Sequence, residues 1–530
     1  MVKNIEKIKA LLIKLIFAFS SVVLSFQLTV LMGNSSKITK ISIVMITSIV
    51  SFVVAIYFWQ KTHTETINEC KKHKILSLIY VVLACIVWAR LYSILGVELK
   101  HKYDNALILN PYRLRFFVLS IFSIIYLGVF ICIKLKEYIL KFYKSLDDWD
   151  KKAYAISTVI LFGLVVILYN ISANWYLQYD KVYSLDSGWC FANIFPRPNY
   201  YDIRHPILSI FTFPIFAIID TFVKLLFSGN LVNTVEAIML QFVNVQLLIL
   251  IGLNLKKLTN SKMTFILYMI SFPTIVYSMF FEKYQICVFL LVMYVIAMCN
   301  NSKKTSKALL ISAAGCMPTS CVIGILELIT SDTVKEKLIR IGKIIISTIL
   351  VFIVLGRLWV FRFGLSEITE KRDNFSNQTF TLKERTVATF NMIQSSFTAL
   401  PSDIITTEKG AIKYWWNAIG TKLSIESLAI VAIIIIGIIS NRKKLFVKIA
   451  SIWNIFAFVL FAILNWSPQE SPLFSIYFSW SLVPLFVMGI DFIINKLKLN
   501  RNVVYGILVF FILIINITTM FDIQNFLFMI

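Results

Sequence analysis

Runs of about 20 apolar residues recur along this chain, and its charged residues gather between them. A bilayer core takes about 20 apolar residues per helix, so each run is a candidate span. Nothing between the runs reads as an aqueous domain large enough to fold alone. The fold class expected is therefore all-α, a polytopic transmembrane helix bundle of about 13–15 spans. Composition agrees: of 530 residues, 58% are hydrophobic, and the mean hydropathy is +0.79.

The net charge of +24 comes from lysines and arginines in the short segments between runs, where they fix orientation by staying cytoplasmic. No zinc-finger spacing or RNA-binding signature accompanies them, so nucleic acid is not an expected partner. Six of the eight cysteines, Cys85, Cys132, Cys287, Cys299, Cys316 and Cys321, lie in or beside apolar runs and read as small hydrophobes. Cys190 stands alone in the expected outer loop, so no disulfide framework is visible. The start, "MVKNIEKIKALLIKLIFAFSSVVLSFQLTVLM", has lysines before an apolar run and no small-residue cleavage site, which reads as an uncleaved first span.

With that start inside, spans are expected at 10–32, 41–60, 75–97, 114–134 and 153–174. "KTHTETINECKKHK" and "KLKEYILKFYKSLDDWDKK" become inside segments, and the chain then exits to the outer face. If Pro206–Phe227 crossed next, Lys256, Lys257 and Lys262 would fall outside, against the charge rule. The proline-interrupted "PILSIFTFPIFAIIDTFVKLLF" is therefore expected to dip in or to lie along the outer interface. Spans at 235–254, 263–281 and 285–299 then alternate, with "FFEKYQ" outside and "NNSKKTSK" inside. "KALLISAAGCMPTSCVIGILELI" is expected as two short helices turning near Met317–Pro318. A span at 343–362 precedes an outer segment, 363–427, and spans near 428–440, 447–464, 473–490 and 503–520 close the chain.

This register puts the unusual polar residues on one face. The stretch "SLDSGWCFANIFPRPNYYDIRHP" carries Asp186, Arg197, Asp202, Arg204 and His205. Glu282 and Lys283 lie in a short outer turn, Glu470 in "SPQESP", and Arg362 at the outer end of its span. Charges at membrane depth are costly and face a cavity or a partner. A bland role stands beside each: Asp186 in a tight-turn context suits turn capping, Arg362 suits snorkelling to the interface, and Glu282–Lys283 suits a bare turn pair. Arg90, inside "VWARLYS", is expected to pair within the bundle. The chemical reading pairs a carboxylate, as general base on an acceptor hydroxyl, with cations around a leaving phosphate. No G-x-S-x-G, H-E-x-x-H or P-loop sequence is present, and one histidine in the outer loop without a cysteine pair argues against a zinc site.

The elements "YDKVYSLDSGW", "YYDIRHPILSIFTFP", "FEKY", "LISAAGCMPTSCVIGIL" and "PQESPLFSIYFSW" resemble the GT-C superfamily of membrane glycosyltransferases. Those enzymes use polyprenyl-phosphate or polyprenyl-diphosphate sugars and carry an essential acid in a large first outer loop. The resemblance spans residues 153–490. It implies accessory helices over 1–140, a GT-C-like core over 153–362 with an acidic outer loop at 175–234, an outer segment at 363–427, and C-terminal helices over 428–530. Four spans precede the apparent core, and no adjacent Asp-Glu pair is present.

By that resemblance Asp186 or Asp202 is the base. Arg204, His205, Lys283 and Arg362 meet the donor phosphate, with Arg197 beside them, and Glu282 and Glu470 shape the site. A divalent cation serves some members of the superfamily and not others, so cofactor use stays open. The activity implied is transfer, with inversion, from a polyprenyl-phosphate-sugar donor in the bilayer. The acceptor would be a cell-envelope glycan, lipid or protein on the extracytoplasmic face of the cell membrane. A polysaccharide polymerase or ligase, and a lipid-linked-sugar flippase or transporter, are the competing expectations.

Overall fold

The computed structural model describes residues 11–18, 21, 37–102, 110–171, 181–183, 185–197, 205–324, 333–354, 380–406 and 410–529. In chain order its longer elements are α1 (Lys37–Lys72), α2 (Lys74–Lys102), α3 (Asn110–Lys144), α4 (Asp148–Ile171), α5 (Leu208–Leu226) and α6 (Leu231–Thr259). There follow α7 (Lys262–Met269), α8 (Phe272–Met279), α9 (Tyr284–Cys299), α10 (Lys303–Cys316), α11 (Val334–Val354) and α12 (Leu382–Ser395). A hairpin of β1 (Ser402–Thr406) and β2 (Ile412–Trp416) precedes α13 (Ile425–Asn441), α14 (Leu445–Phe458), α15 (Ser475–Leu497) and α16 (Arg501–Met529). Among the described residues six helices are long and apolar enough to cross a membrane, or seven if a bent pair counts as one span. The architecture is helical and suited to a bilayer, with a single two-stranded sheet among the described residues.

The chain divides into two compact units. The first comprises Met1–Asp147, Phe195–Leu226 and Ile341–Leu365, and the second Asp148–Ile194, Phe227–Arg340 and Ser366–Ile530. In the first unit α1 does not stop at its apolar run but continues through "KTHTETINECKK" to Lys72, and α3 likewise runs on through "KLKEYILKFYK" to Lys144. Their lysines and glutamates propagate a helix well and no proline or glycine intervenes, so the helix outlasts the hydrophobic stretch. At α5 the structure corrects the expected proline interruption, since one continuous 19-residue helix passes through Pro214. The ring removes a single ladder bond, which a helix packed among neighbours tolerates.

The second unit holds the larger core. The span expected at 263–281 consists of two helices, α7 and α8, bent by 52°. Pro273 lies in the first turn of α8, so its ring denies Met269 a partner and crowds that carbonyl. The break is capped from inside the protein. Ser271 Oγ donates to Tyr268 O at 2.7 Å and Asn516 Nδ2 donates to Ile270 O at 2.8 Å. The amide of Phe272 finds Phe397 O at 3.1 Å. Nearby, α13 and α15 cross with backbones touching: a Cβ on Gly437 would lie 2.0 Å from Leu485 O, and one on Gly489 2.1 Å from Ile433 O. The chain also breaks at Met317, where α10 gives way to a short 3-10 turn, Pro318–Ser320, as the sequence marks.

Candidate functional site

The site lies in the second unit, where three segments far apart in sequence converge. The first is Lys181–Asp186. Tyr183 N donates to Tyr414 O at 3.0 Å and Tyr414 N to Lys181 O at 2.8 Å, so the segment runs beside β2. The Tyr183 ring stacks on Trp416 with centroids 4.4 Å apart and planes within 9°. Tyr183 occupies the left-handed region, at φ 51°, and Leu185 N closes a turn onto Val182 O. That reversal delivers Asp186 to the start of a short helical stretch, Ser187–Trp189, continued by a wider turn over Cys190–Ile194. The Asp186 side chain makes no capping bond there, so turn capping is not what it does.

The second segment is the turn Phe280–Lys283 between α8 and α9. It is sealed from solvent, with Glu282 0% and Lys283 1% exposed. Irregular backbone at this depth needs partners, and α6 supplies them from inside an apolar stretch. Gln241 Nε2 donates to Tyr277 O, Ser278 O and Phe280 O, and Asn244 Nδ2 reaches Glu282 O at 3.3 Å. Gln285 Nε2 adds a bond to Tyr277 O at 2.8 Å. Gln241 and Asn244 escaped the sequence reading; the signal was two amides one turn apart within "MLQFVNVQLL".

These two segments meet at their charges. The amide of Asp186 donates to Glu282 Oε1. Cys190 Sγ donates to Glu282 Oε2 at 3.4 Å, as does Lys283 N. Lys283 Nζ donates to Asp186 Oδ2 at 3.2 Å and lies 5.2 Å from the centroid of the Tyr284 ring. Burial, together with the charge of Asp186 and against the pull of Lys283, pushes the Glu282 carboxyl up to about 7. Burial works against the Lys283 ammonium, but Tyr284 and Cys190, then Asp186 and Glu282, outweigh that and hold its pKa well above the usual range. Burial also drives the Cys190 thiol well up, so it serves as an S–H donor. Asp186 differs from its partners: its side chain is 24% exposed, and Oδ1 has no partner among the described residues.

The third segment is the 3-10 turn Pro468–Phe474, which carries Glu470. Trp416 Nε1 donates to Gln469 O at 2.9 Å and Tyr277 OH to Leu473 O at 2.6 Å, so the turn is tied both to the hairpin and to α8. Glu470 accepts from Ser467 Oγ at 2.7 Å and is half-buried. The structure thus brings Asp186, Glu282 and Lys283 into contact and fastens Glu470's turn to the same framework. Lys283, read from sequence as a phosphate ligand, has its ammonium directed at Asp186. Arg197 is exposed, and His205 is buried at the start of α5; both belong to the first unit. Asp202, Arg204 and Arg362 lie outside the described residues. No group of three or more His, Cys, Asp or Glu suited to a metal occurs among the described residues.

No protein-family model, no curated protein and no solved structure matches this chain.

Proposed function

We propose that the chain is an integral-membrane glycosyltransferase of the GT-C type. It would move a sugar from a polyprenyl-phosphate donor to a cell-envelope acceptor at the extracytoplasmic face. The observation that carries this reading is Asp186: a carboxylate held through Oδ2 by a buried lysine, with its side chain 24% exposed and Oδ1 without a partner among the described residues. That is the disposition a general base requires, since one oxygen fixes the geometry and the other receives the proton.

In the proposed step the acceptor hydroxyl oxygen forms a bond to the anomeric carbon as the bond from that carbon to the phosphate oxygen breaks. The hydroxyl proton passes to Asp186 Oδ1, and the bonding pair leaves with the polyprenyl phosphate. Lys283 positions Asp186 rather than meeting phosphate, because it is 1% exposed and already paired. Glu282 positions the same residue through its backbone amide and links the "FEKY" turn to the first outer loop. A lipid-linked donor arrives laterally from the bilayer, which accounts for a site built among helices suited to a membrane.

The test is transfer by the purified chain in proteoliposomes, offered short-chain polyprenyl-phosphate sugars and an envelope acceptor fraction. Asp186→Asn keeps the shape and Oδ1 but loses basicity. It should lower turnover by about a hundredfold or more with melting temperature and donor binding little changed. Transfer at the wild-type rate by Asp186→Asn would overturn the base assignment.

A further inference from the structure

The first unit contains a charge cluster with no part in the site above. Arg90 on α2 contacts Asp220 Oδ2 on α5, and Lys224, one turn beyond, lies 2.6 Å from Asp220 Oδ1. All three interrupt strongly apolar sequence, "VVLACIVWARLY" and "FPIFAIIDTFVKLLF". A buried carboxylate needs a counter-charge, and Asp220, with its side chain 2% exposed, has two. Neither cation has another partner among the described residues, and counted over those residues the cluster holds one positive charge in excess.

Excess charge among apolar helices is costly unless an anion meets it. The cluster is open to one, since Arg90 keeps 33% and Lys224 52% of its side chain exposed. Beside Lys224 the surface is bare hydrocarbon: Phe222 is 47%, Leu225 74% and Leu226 75% exposed. A ligand matched to both features has an anionic oxygen group joined to apolar chains.

We propose that Arg90 and Lys224 bind the phosphate of a membrane lipid, with Asp220 neutralising one of their two charges. The guanidinium has N–H groups beyond the one directed at Asp220 and offers them as a planar fork to phosphate oxygens, while the ammonium adds a point charge. The acyl chains lie along the exposed apolar face of α5. The assignment gives the N-terminal helices a ligand of their own and does not depend on the glycosyltransferase reading.

Native mass spectrometry of the detergent-purified full chain, titrated separately with dioleoylphosphatidic acid, dioleoylglycerol and inorganic phosphate, tests it. Phosphatidic acid should bind and dioleoylglycerol should not. Lys224→Gln, which leaves the Arg90–Asp220 pair to support folding, should weaken phosphatidic acid binding about tenfold, and Arg90→Gln similarly. Asp220→Asn adds a second unit of excess charge and should tighten binding, the opposite of what a purely structural ion pair would give. Equal binding of the two lipids, wild-type affinity in Lys224→Gln, or weaker binding in Asp220→Asn would each overturn the proposal. Inorganic phosphate binding as tightly as phosphatidic acid would overturn the lipid as its source.

Discussion

Glu282 is a fully buried carboxylate, and the consequences of that burial are measurable. Its carboxyl rises from 4.5 to about 7 because burial disfavours the charge. Between those values the folded protein holds a proton that the unfolded chain releases, so stability falls as pH rises through that window. The penalty is complete above about 7 and corresponds to roughly 3 kcal/mol. Glu282→Gln should therefore melt higher than the wild type at pH 8, with the advantage fading towards pH 5. A difference that stays flat across that range would mean the carboxyl titrates as it does in water.

Lys283 calls for a different measurement. Lys283→Met leaves Asp186 without its ammonium and should cost about 3 kcal/mol, at the low end for buried pairs because Asp186 is partly solvated. Combining it with Asp186→Asn removes the orphaned charge and should restore part of that loss in a double-mutant cycle; strict additivity would show that the pair is not coupled. At this scale the charge rule assigns the unusual polar residues a common face, but it does not say which of them touch. Asp186 and Glu282 stand 96 residues apart, and only the reversal at Tyr183 brings the amide of one onto the carboxylate of the other. Gln241 and Asn244 stayed hidden because an amide in an apolar helix gives no sign of the backbone it serves.

Among the elements, the bent pair α7 and α8 shows what hydropathy leaves out. The 263–281 run is apolar throughout, so it reads as one span; Pro273 breaks it, and the break survives only because distant groups cap it. Asn516 on α16 carries most of that load. Its Nδ2 donates to Ile270 O and Phe397 O at 2.8 and 2.9 Å, and its Oδ1 accepts from Ala399 N at 2.9 Å. Asn516→Leu preserves volume but strands Ile270 O and Ala399 N, each worth about 1–3 kcal/mol, and strips Phe397 O of one of its two donors. A loss of about 3 kcal/mol or more is expected, with faster amide exchange at Phe272, whose acceptor Phe397 O loses its second donor. A loss below about 1 kcal/mol would show that the bend is held by packing instead. Helix ends were also illegible, since α1 and α3 run past the membrane-length stretch into polar sequence that holds no proline or glycine to stop them.

For the molecule as a whole, the alternating register read from lysines makes a prediction that the second unit's geometry sharpens. Within that unit the chain reverses regularly. Asp150 at the start of α4 pairs with Lys256 at the end of α6, and Lys256 and Lys262 flank the Trp149 ring at 5.0 and 5.3 Å. The Asp186–Glu282 contact, the hairpin and Glu470's turn gather where α8 ends and where α9 and α15 begin. Helix α15 then runs 23 residues, about 35 Å, to Lys496 and to Asp491, which pairs with Arg501 at 3.1 Å. One end is thus basic and the other carries the acid-bearing turns, the polarity that lysine-rich segments impose when they stay cytoplasmic. Ile405→Cys, on the exposed hairpin, should react with a membrane-impermeant maleimide in intact cells. Lys443→Cys, between α13 and α14, should react only after permeabilisation. Both belong in a background lacking Cys321, the exposed native thiol. The reverse pattern would put Asp186 on the cytoplasmic face, where a glycosyl acceptor of the cell envelope is out of reach, and would remove the extracytoplasmic site together with the function proposed for it.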